Sequence, residues 1–308
     1  MSAALKGRDL VSLLDFTADQ VRGLIDTAIT VKREADSYRD ALAGQTLFMY
    51  FEKPSLRTRV TFETGMTQLG GHAIYYSGNE GRIGVRESVA DVARNLERWV
   101  NGAMMRTFSH DLVKEMAQYS SIPIINGLTD HLHPCQALAD FLTLAEVRSD
   151  LKGGTLAYVG DGNNVANSLM YAGARLGVNV HVIHPEGFGV DEEVQQAAQE
   201  AANETGATMR SGTDLALVEG ADAVYTDVWA SMGQEDEATD RDAVFRPYQV
   251  NEALMERAGK DAVFMHCLPA HRGDEVTDGV ADSKNSVIFQ QAENRLHAQK
   301  AVMLALMG

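Results

Sequence analysis

Cysteine is scarce. The chain of 308 residues has two, Cys135 and Cys267, too few for a disulfide framework and without zinc-ligand spacing. A reducing, cytoplasmic setting fits that composition. No apolar run approaches the length that spans a bilayer, so no membrane partner is expected. The N-terminal "MSAALKGRDLVSLLDF" carries acids and lacks a long apolar centre, which reads as neither signal nor transit peptide. Cations are outnumbered, with 27 Lys and Arg against 43 Asp and Glu, a formal net charge of −16. Such a field repels nucleic acid and acidic membranes. It repels a small anion too, so any phosphate site must be built locally from cations and backbone N–H groups. The GxxxxGK[ST] nucleotide loop is missing, as are internal repeats, low-complexity tracts and long linkers.

What is present suits a globular protein with a sizeable core: 45% of residues are hydrophobic and 23% charged. The length favours two domains. Thr17 to Gln20 reads as a capping box opening a helix on Val21, Leu24, Ile25, Ala28 and Ile29. "TLFMYF" (46–51) is a continuous apolar run of the kind parallel strands show. Pro54 breaks it, and Ser55 caps a helix that Gly70-Gly71 ends. Strands follow at 72–77, 102–108 and 122–128, with a helix from Ser88 to Val100 and a long one over 134–148. Beyond "RSDLKGG" the alternation resumes. Strands are expected at 155–160, 179–185, 221–229 and 262–269, helices at 164–176, 191–203 and 251–257, then a short strand at "SVIF" and a terminal helix. This pattern predicts an α/β chain of two domains, each a parallel sheet flanked by helices and joined by interdomain helices. Ligands are expected at the carboxyl ends of the strands and in a cleft between the domains.

Five stretches carry candidate chemistry. In "FEKPSLRTR" (51–59) a strand end feeds a helix, so free N–H groups, the helix dipole and the hydroxyls of Ser55 and Thr58 converge. Arg57 adds a guanidinium fork for two phosphate oxygens; Lys53 and Arg59 serve either the field or the fold. "GDGNN" (160–164) follows a strand as a dinucleotide fingerprint does, but Val165 stands where the third Gly or Ala belongs. Its asparagines either cap the helix or donate to a carboxylate. In "DVWASMG" (227–233) Asp227 ends a strand, as an ammonium partner or as a cap. "HCLPAHRG" (266–273) pairs His266 with Cys267, yet neighbours on a strand face opposite ways, which argues against a direct dyad. "DHLHPCQ" (130–136) sets two histidines at a helix entry with no third ligand, so a metal is not expected there.

Together "SLRTR", "HPCQ", "DVWASMG", "HCLPAHRG" and "AENRLHAQKA" resemble the ornithine carbamoyltransferases, from about residue 8 to the end. The resemblance implies a domain for carbamoyl phosphate over 1–134, with helix 290–308 packing back on it, and one for L-ornithine over 135–289. It implies a homotrimer or a multiple of trimers, with no cofactor and no metal. By similarity Ser55, the Leu56 backbone, Arg57, Thr58 and Arg106 hold phosphate. His133, Gln136, Arg295 and the carbonyls of Cys267 and Leu268 hold the carbamoyl group. Asn164, Asp227, Ser231 and the Met232 backbone hold ornithine. Arg106, His133, Cys267 and Arg295 are the implied catalytic residues. Arg82 sits in a loop that family members extend into the neighbouring subunit's site. The chain departs at Leu56, where the family usually has Thr. That keeps N-acylated ornithine open as the acceptor, whereas Asp227 favours a free α-ammonium; putrescine is a further alternative, one that would leave Asn164 without a carboxylate to hold.

Overall fold

The computed structural model describes residues 5–148, 150–230 and 238–308, except the side chains of 238–240. The chain forms two compact units, Met1–Leu142 with Glu293–Gly308, and Thr143–Ala292. In the first, α1 (Ala18–Arg33), β1 (Thr46–Phe51), α2 (Leu56–Gln68), β2 (His72–Ser77), α3 (Val89–Leu96), β3 (Gly102–Arg106), α4 (His110–Tyr119) and β4 (Ile124–Leu128) lead into α5 (Pro134–Val147). The second holds β5 (Thr155–Val159), α6 (Asn164–Leu176), β6 (Asn179–Ile183), α7 (Glu192–Ala202), β7 (Met209–Gly212), β8 (Ala223–Thr226), α8 (Ala238–Phe245), α9 (Glu252–Ala258), β9 (Val263–His266) and α10 (Asp278–Ala281). α11 (Ile288–Met307) closes the chain. Both passages between units fall inside helices, α5 and α11. Among the described residues no helix is long and apolar enough to cross a membrane.

Each unit has its own all-parallel sheet, in the orders β2-β1-β3-β4 and β7-β6-β5-β8-β9. Parallel strands covered on both faces need apolar side chains on both, and β3 and β4 are buried throughout. Register then does the positioning. Phe51 pairs with Arg106 and Arg106 with Leu128, so the carboxyl ends of β1, β3 and β4 lie side by side. Tyr158 pairs with Tyr225 and Thr226 with His266, which aligns the ends of β5, β8 and β9.

The elements depart from the sequence pattern in several places, α8 and α10 among them. "SVIF" forms no strand: Ser286 makes one bridge to Phe264, and Ile288 already starts α11. The β-branched pair Val287–Ile288 suggested a strand, but the apolar face of the following helix captures it. β7 and α4 were not expected, because "MRSG" lacks apolar alternation and α4 buries only Val113 and Met116.

Candidate functional site

In the first unit the sharp turn after β1 delivers Ser55 as the cap of α2, its hydroxyl accepting the Thr58 N–H at 3.2 Å. Pro54 precedes the cap, and no acid occupies the first turn, so the positive end of α2 stays uncompensated. Leu56 is 75% exposed and offers this mouth only its backbone. Arg57 has no ion pair among the described residues, in contrast to its neighbours. Lys53 pairs with Asp130 and lies 4.5 Å from the centre of the Phe108 ring. Arg59 pairs with Glu63 at 3.0 Å and stacks on Tyr75 at 3.8 Å. Those two cations serve the fold.

Beneath the mouth two buried guanidinium groups converge on one hydroxyl. Arg106 Nη1 donates to Thr58 Oγ1 at 3.3 Å, and Arg295 Nη2 donates to the same atom at 3.1 Å. With both lone pairs engaged by cations, the Thr58 O–H is polarised and left to donate. Arg295 reaches this point because α11 runs close over α2. A Cβ on Gly65 would sit 2.8 Å from Met303 Cε and 3.3 Å from Lys300 Cγ, so the side chains of α11 lie directly on this glycine. Arg295 also donates to Gln136 Oε1, and Gln136 Nε2 donates to Asp140 Oδ1 at 2.7 Å. His133 is buried beside them; desolvation first, then Arg295 and Arg106, hold its pKa well below the usual histidine value. It is a neutral imidazole. Two neighbouring cations make this a poor place for a metal ion. Cys135 is buried, with its thiol pushed up to about 12 by burial, and is inert.

In the second unit Asn163 caps α6, accepting the N–H groups of Val165 and Ala166 at 2.9 and 3.2 Å. Its amide nitrogen donates to Asp227 Oδ2 at 2.9 Å. Asp227 Oδ1 takes the Val228 N–H at 2.8 Å and the Cys267 thiol at 3.0 Å. The carboxylate is thus oriented from three sides and nearly buried. Asn164 begins α6, next to that cap. Arg241 ties the two loops together, donating to Asp161 Oδ2 at 2.8 Å and to the Trp229 carbonyl at 3.0 Å. Ser231 and Met232 lie outside the described residues.

β9 stops at His266, so Cys267 lies beyond the strand and the alternation argument does not apply to it. The two side chains still have separate partners. His266 Nε2 pairs with buried Glu275 at 3.0 Å, and its Nδ1 accepts the Leu268 N–H at 2.9 Å. That fixes the Nε2–H tautomer. It also holds Leu268 at φ 60, a left-handed conformation that a branched residue adopts only under constraint. The carbonyls of Cys267 and Leu268 are set by this loop. Asp227, His266 and Cys267 have ligand atoms within 4.8 Å of one another. Both imidazole nitrogens are already engaged, so His266 has no free lone pair to give an ion. Gly162 serves the packing of the loop after β6, since a Cβ there would lie 2.3 Å from the Gly189 carbonyl carbon.

Arg82 lines an open cavity of about 640 Å³ in the first unit, with Glu52, Val85, Phe108 and Glu115. The adjoining Ile83 N–H donates to Tyr50 Oη at 3.2 Å, which anchors the loop's base. Arg82 is not among the groups gathered at Thr58. Three residues escaped sequence reasoning. Asp140 has a signal, the i,i+4 spacing from Gln136 on α5. Asn163 was visible as a cap but not as the partner of Asp227. Glu275 sits in an irregular loop and gives no signal.

Residues 8–146 match the model of the aspartate/ornithine carbamoyltransferase, carbamoyl-P binding domain, and residues 152–306 that of the Asp/Orn binding domain. The chain is 53% identical to the ornithine carbamoyltransferase of Halalkalibacterium halodurans, over 99% of this chain and 96% of that protein. It is 52% identical to that of Anoxybacillus flavithermus, over 98% of each. A solved ornithine carbamoyltransferase from Pyrococcus furiosus superposes with a TM-score of 0.95 at 50% identity, over 99% of this chain and 98% of the other.

Proposed function

The chain belongs to the aspartate/ornithine carbamoyltransferase family, and on that premise we propose that it transfers the carbamoyl group of carbamoyl phosphate to the δ-amine of L-ornithine, giving L-citrulline and phosphate. The observation that carries this reading is the pair of buried guanidinium groups, Arg106 and Arg295, meeting at Thr58 under the open N-terminus of α2. In an acidic chain this is a local concentration of donors and positive charge suited to an acyl phosphate dianion.

Ser55, the Leu56 N–H, Arg57 and Thr58 hold the phosphate, with Arg106 below. The N–H of neutral His133, the Thr58 hydroxyl, Arg106 and Arg295 face the carbamoyl oxygen, and Gln136 accepts from the carbamoyl NH2 group with the carbonyls of Cys267 and Leu268. As the δ-amine attacks, the carbonyl π pair moves onto oxygen, where these donors stabilise it. Collapse re-forms the carbonyl and breaks the C–O bond to phosphate, which leaves with the surplus proton of the attacking nitrogen and whose charge the cations already neutralise. A metal is not required for that departure. The amine, with a free pKa near the lysine value of about 10.4, must shed a proton before attack, and neighbouring cations lower that pKa. Asp227 takes the α-ammonium of ornithine and Asn164, Ser231 and the Met232 N–H its carboxylate side. Cys267 stays a thiol while it donates to Asp227, which makes it an orienting group for the amine.

The exposed apolar pair Leu56 and Val60 at i,i+4 on α2, with Ile74 on the sheet-edge strand β2, supports a homotrimer or a multiple of trimers. In that assembly Arg82 extends to the adjacent subunit's phosphate. The two free cysteines support a cytoplasmic location. A panel of acceptors tests the function: L-ornithine with carbamoyl phosphate is expected to yield citrulline, and putrescine and N-acetylornithine to react at least about 100-fold more slowly for want of the carboxylate or the ammonium. A preference for either alternative would overturn the acceptor assignment.

A further inference from the structure

The geometry points to Asp140 as a specificity-determining positioning residue, one that fixes the Gln136 amide so that it presents an acceptor to the carbamoyl NH2 group. This rests on the reading of Gln136 as a carbamoyl contact. Asp140 is fully buried on α5, one turn beyond Gln136. Gln136 Nε2 donates to Asp140 Oδ1 at 2.7 Å, while Gln136 Oε1 accepts from Arg295 Nη1. A carboxylate only accepts and a guanidinium only donates. An amide placed between them has one satisfied orientation, with its NH2 toward Asp140 and its oxygen toward Arg295. Reversing it would set NH2 against guanidinium and oxygen against carboxylate, two mismatches in a buried place.

Chemistry follows from the orientation. An sp2 oxygen has two lone pairs, and Arg295 uses one. The other is available to a donor. Carbamoyl phosphate carries an NH2 on its acyl carbon, and acetyl phosphate, nearly the same shape, carries a methyl group. An acceptor in fixed position rewards the first and leaves a buried lone pair unpaired against the second. Arg106, Arg295 and Thr58 meet the phosphate and carbonyl oxygens, which both molecules share, so they do not discriminate.

Asp140→Asn tests this, because an Asn amide can donate as well as accept, which removes one of the two mismatches that bar the reversed Gln136 and leaves Arg295 alone to orient it. The readouts are KM for carbamoyl phosphate, KM for ornithine, and the inhibition constant of acetyl phosphate against carbamoyl phosphate in the citrulline assay. The preference for carbamoyl over acetyl phosphate is expected to fall about tenfold, the worth of one hydrogen bond, with the ornithine KM within about twofold of wild type. In a Gln136→Ala background the same substitution is expected to change the preference no further. Should Asp140→Asn fail to fold, Asp140→Ser, also able to donate, gives the same readout. An unchanged preference in Asp140→Asn, with a reduced one in Gln136→Ala, would overturn the role of Asp140 and leave Gln136 as a carbamoyl contact. An equal loss of preference in both backgrounds would show a role not exerted through Gln136 and also overturn the inference. If Gln136→Ala kept the full preference, the reading of Gln136 would fall, and this inference with it.

Discussion

Thr58→Val removes one oxygen and keeps the shape of the side chain. In the wild type that oxygen accepts from Arg106 and Arg295 at 3.3 and 3.1 Å and is 1% exposed with its residue. Hydrogen bonds to charged groups contribute about 1.5–3 kcal/mol each. Arg295 keeps Gln136 as a partner, so a loss of roughly 2–4 kcal/mol is a fair sum for the pair. At about 2–4 °C per kcal/mol for domains of 150–250 residues, the melting temperature should fall by roughly 4–16 °C. The catalytic loss should be larger in proportion. The polarised O–H is one of the donors assigned to the carbonyl oxygen, and deleting such a donor lowers kcat about 100- to 1000-fold. Steady-state kinetics at saturating ornithine and a thermal melt measure both effects. Thr58→Ser, which retains the oxygen, should recover most of the activity and the stability. A valine variant with kcat within about threefold of wild type would refute the donor role.

Asn163→Ala removes both the cap of α6 and the amide holding Asp227. Stability should drop by about 1 kcal/mol and the ornithine KM should rise about tenfold or more, with the carbamoyl phosphate KM unchanged; kinetics varying each substrate in turn separate the two. Burial, then His131 and Lys114, lower the pKa of His110 to about 4 from 6.5. An unfolded chain takes up that proton near pH 6.5 and the folded one only near 4, so stability should fall as pH drops through this window. Denaturant unfolding at several pH values would show it, and His110→Gln should flatten the slope, with Asp111 and Lys114 left in place. Gln299 is fully buried and its amide has no hydrogen-bond partner among the described residues. Gln299→Leu should leave the melt unchanged or raise it, since it lifts a burial cost of about 1–3 kcal/mol; a clear fall in melting temperature would contradict this.

Much of the fold was legible because parallel strands buried on both faces leave continuous apolar runs, as "TLFMYF" and "TLAYV" do, and because Ser55 and Asn163 announce helix starts. β7 and α4 were not: "MRSG" has no apolar alternation, and α4 is a short helix that buries only Val113 and Met116. The terminal strand reading failed because β-branched residues at a helix entrance look like a strand until packing decides. At the site, Ser55, Leu56, Arg57 and Thr58 are consecutive and readable together. The meeting of Arg106, His133, Gln136 and Arg295 with Thr58 depends on register and on α11 returning to the first unit, which no local pattern encodes. Asn163 and Glu275 act by holding other side chains, a role that leaves no mark on spacing, whereas Asp140 shows itself only as the i,i+4 partner of Gln136.

The central claim is anion capture at the mouth of α2, with an amino acid's ammonium taken by Asp227. A crystal structure of the protein with phosphate and L-ornithine bound tests it most directly. The account predicts phosphate within hydrogen-bonding distance of Ser55, Arg57, Thr58 and Arg106, and the ornithine α-ammonium on Asp227. Phosphate seated elsewhere, or an Asp227 carboxylate still held only by Asn163, Val228 and Cys267 beside bound ornithine, would contradict it.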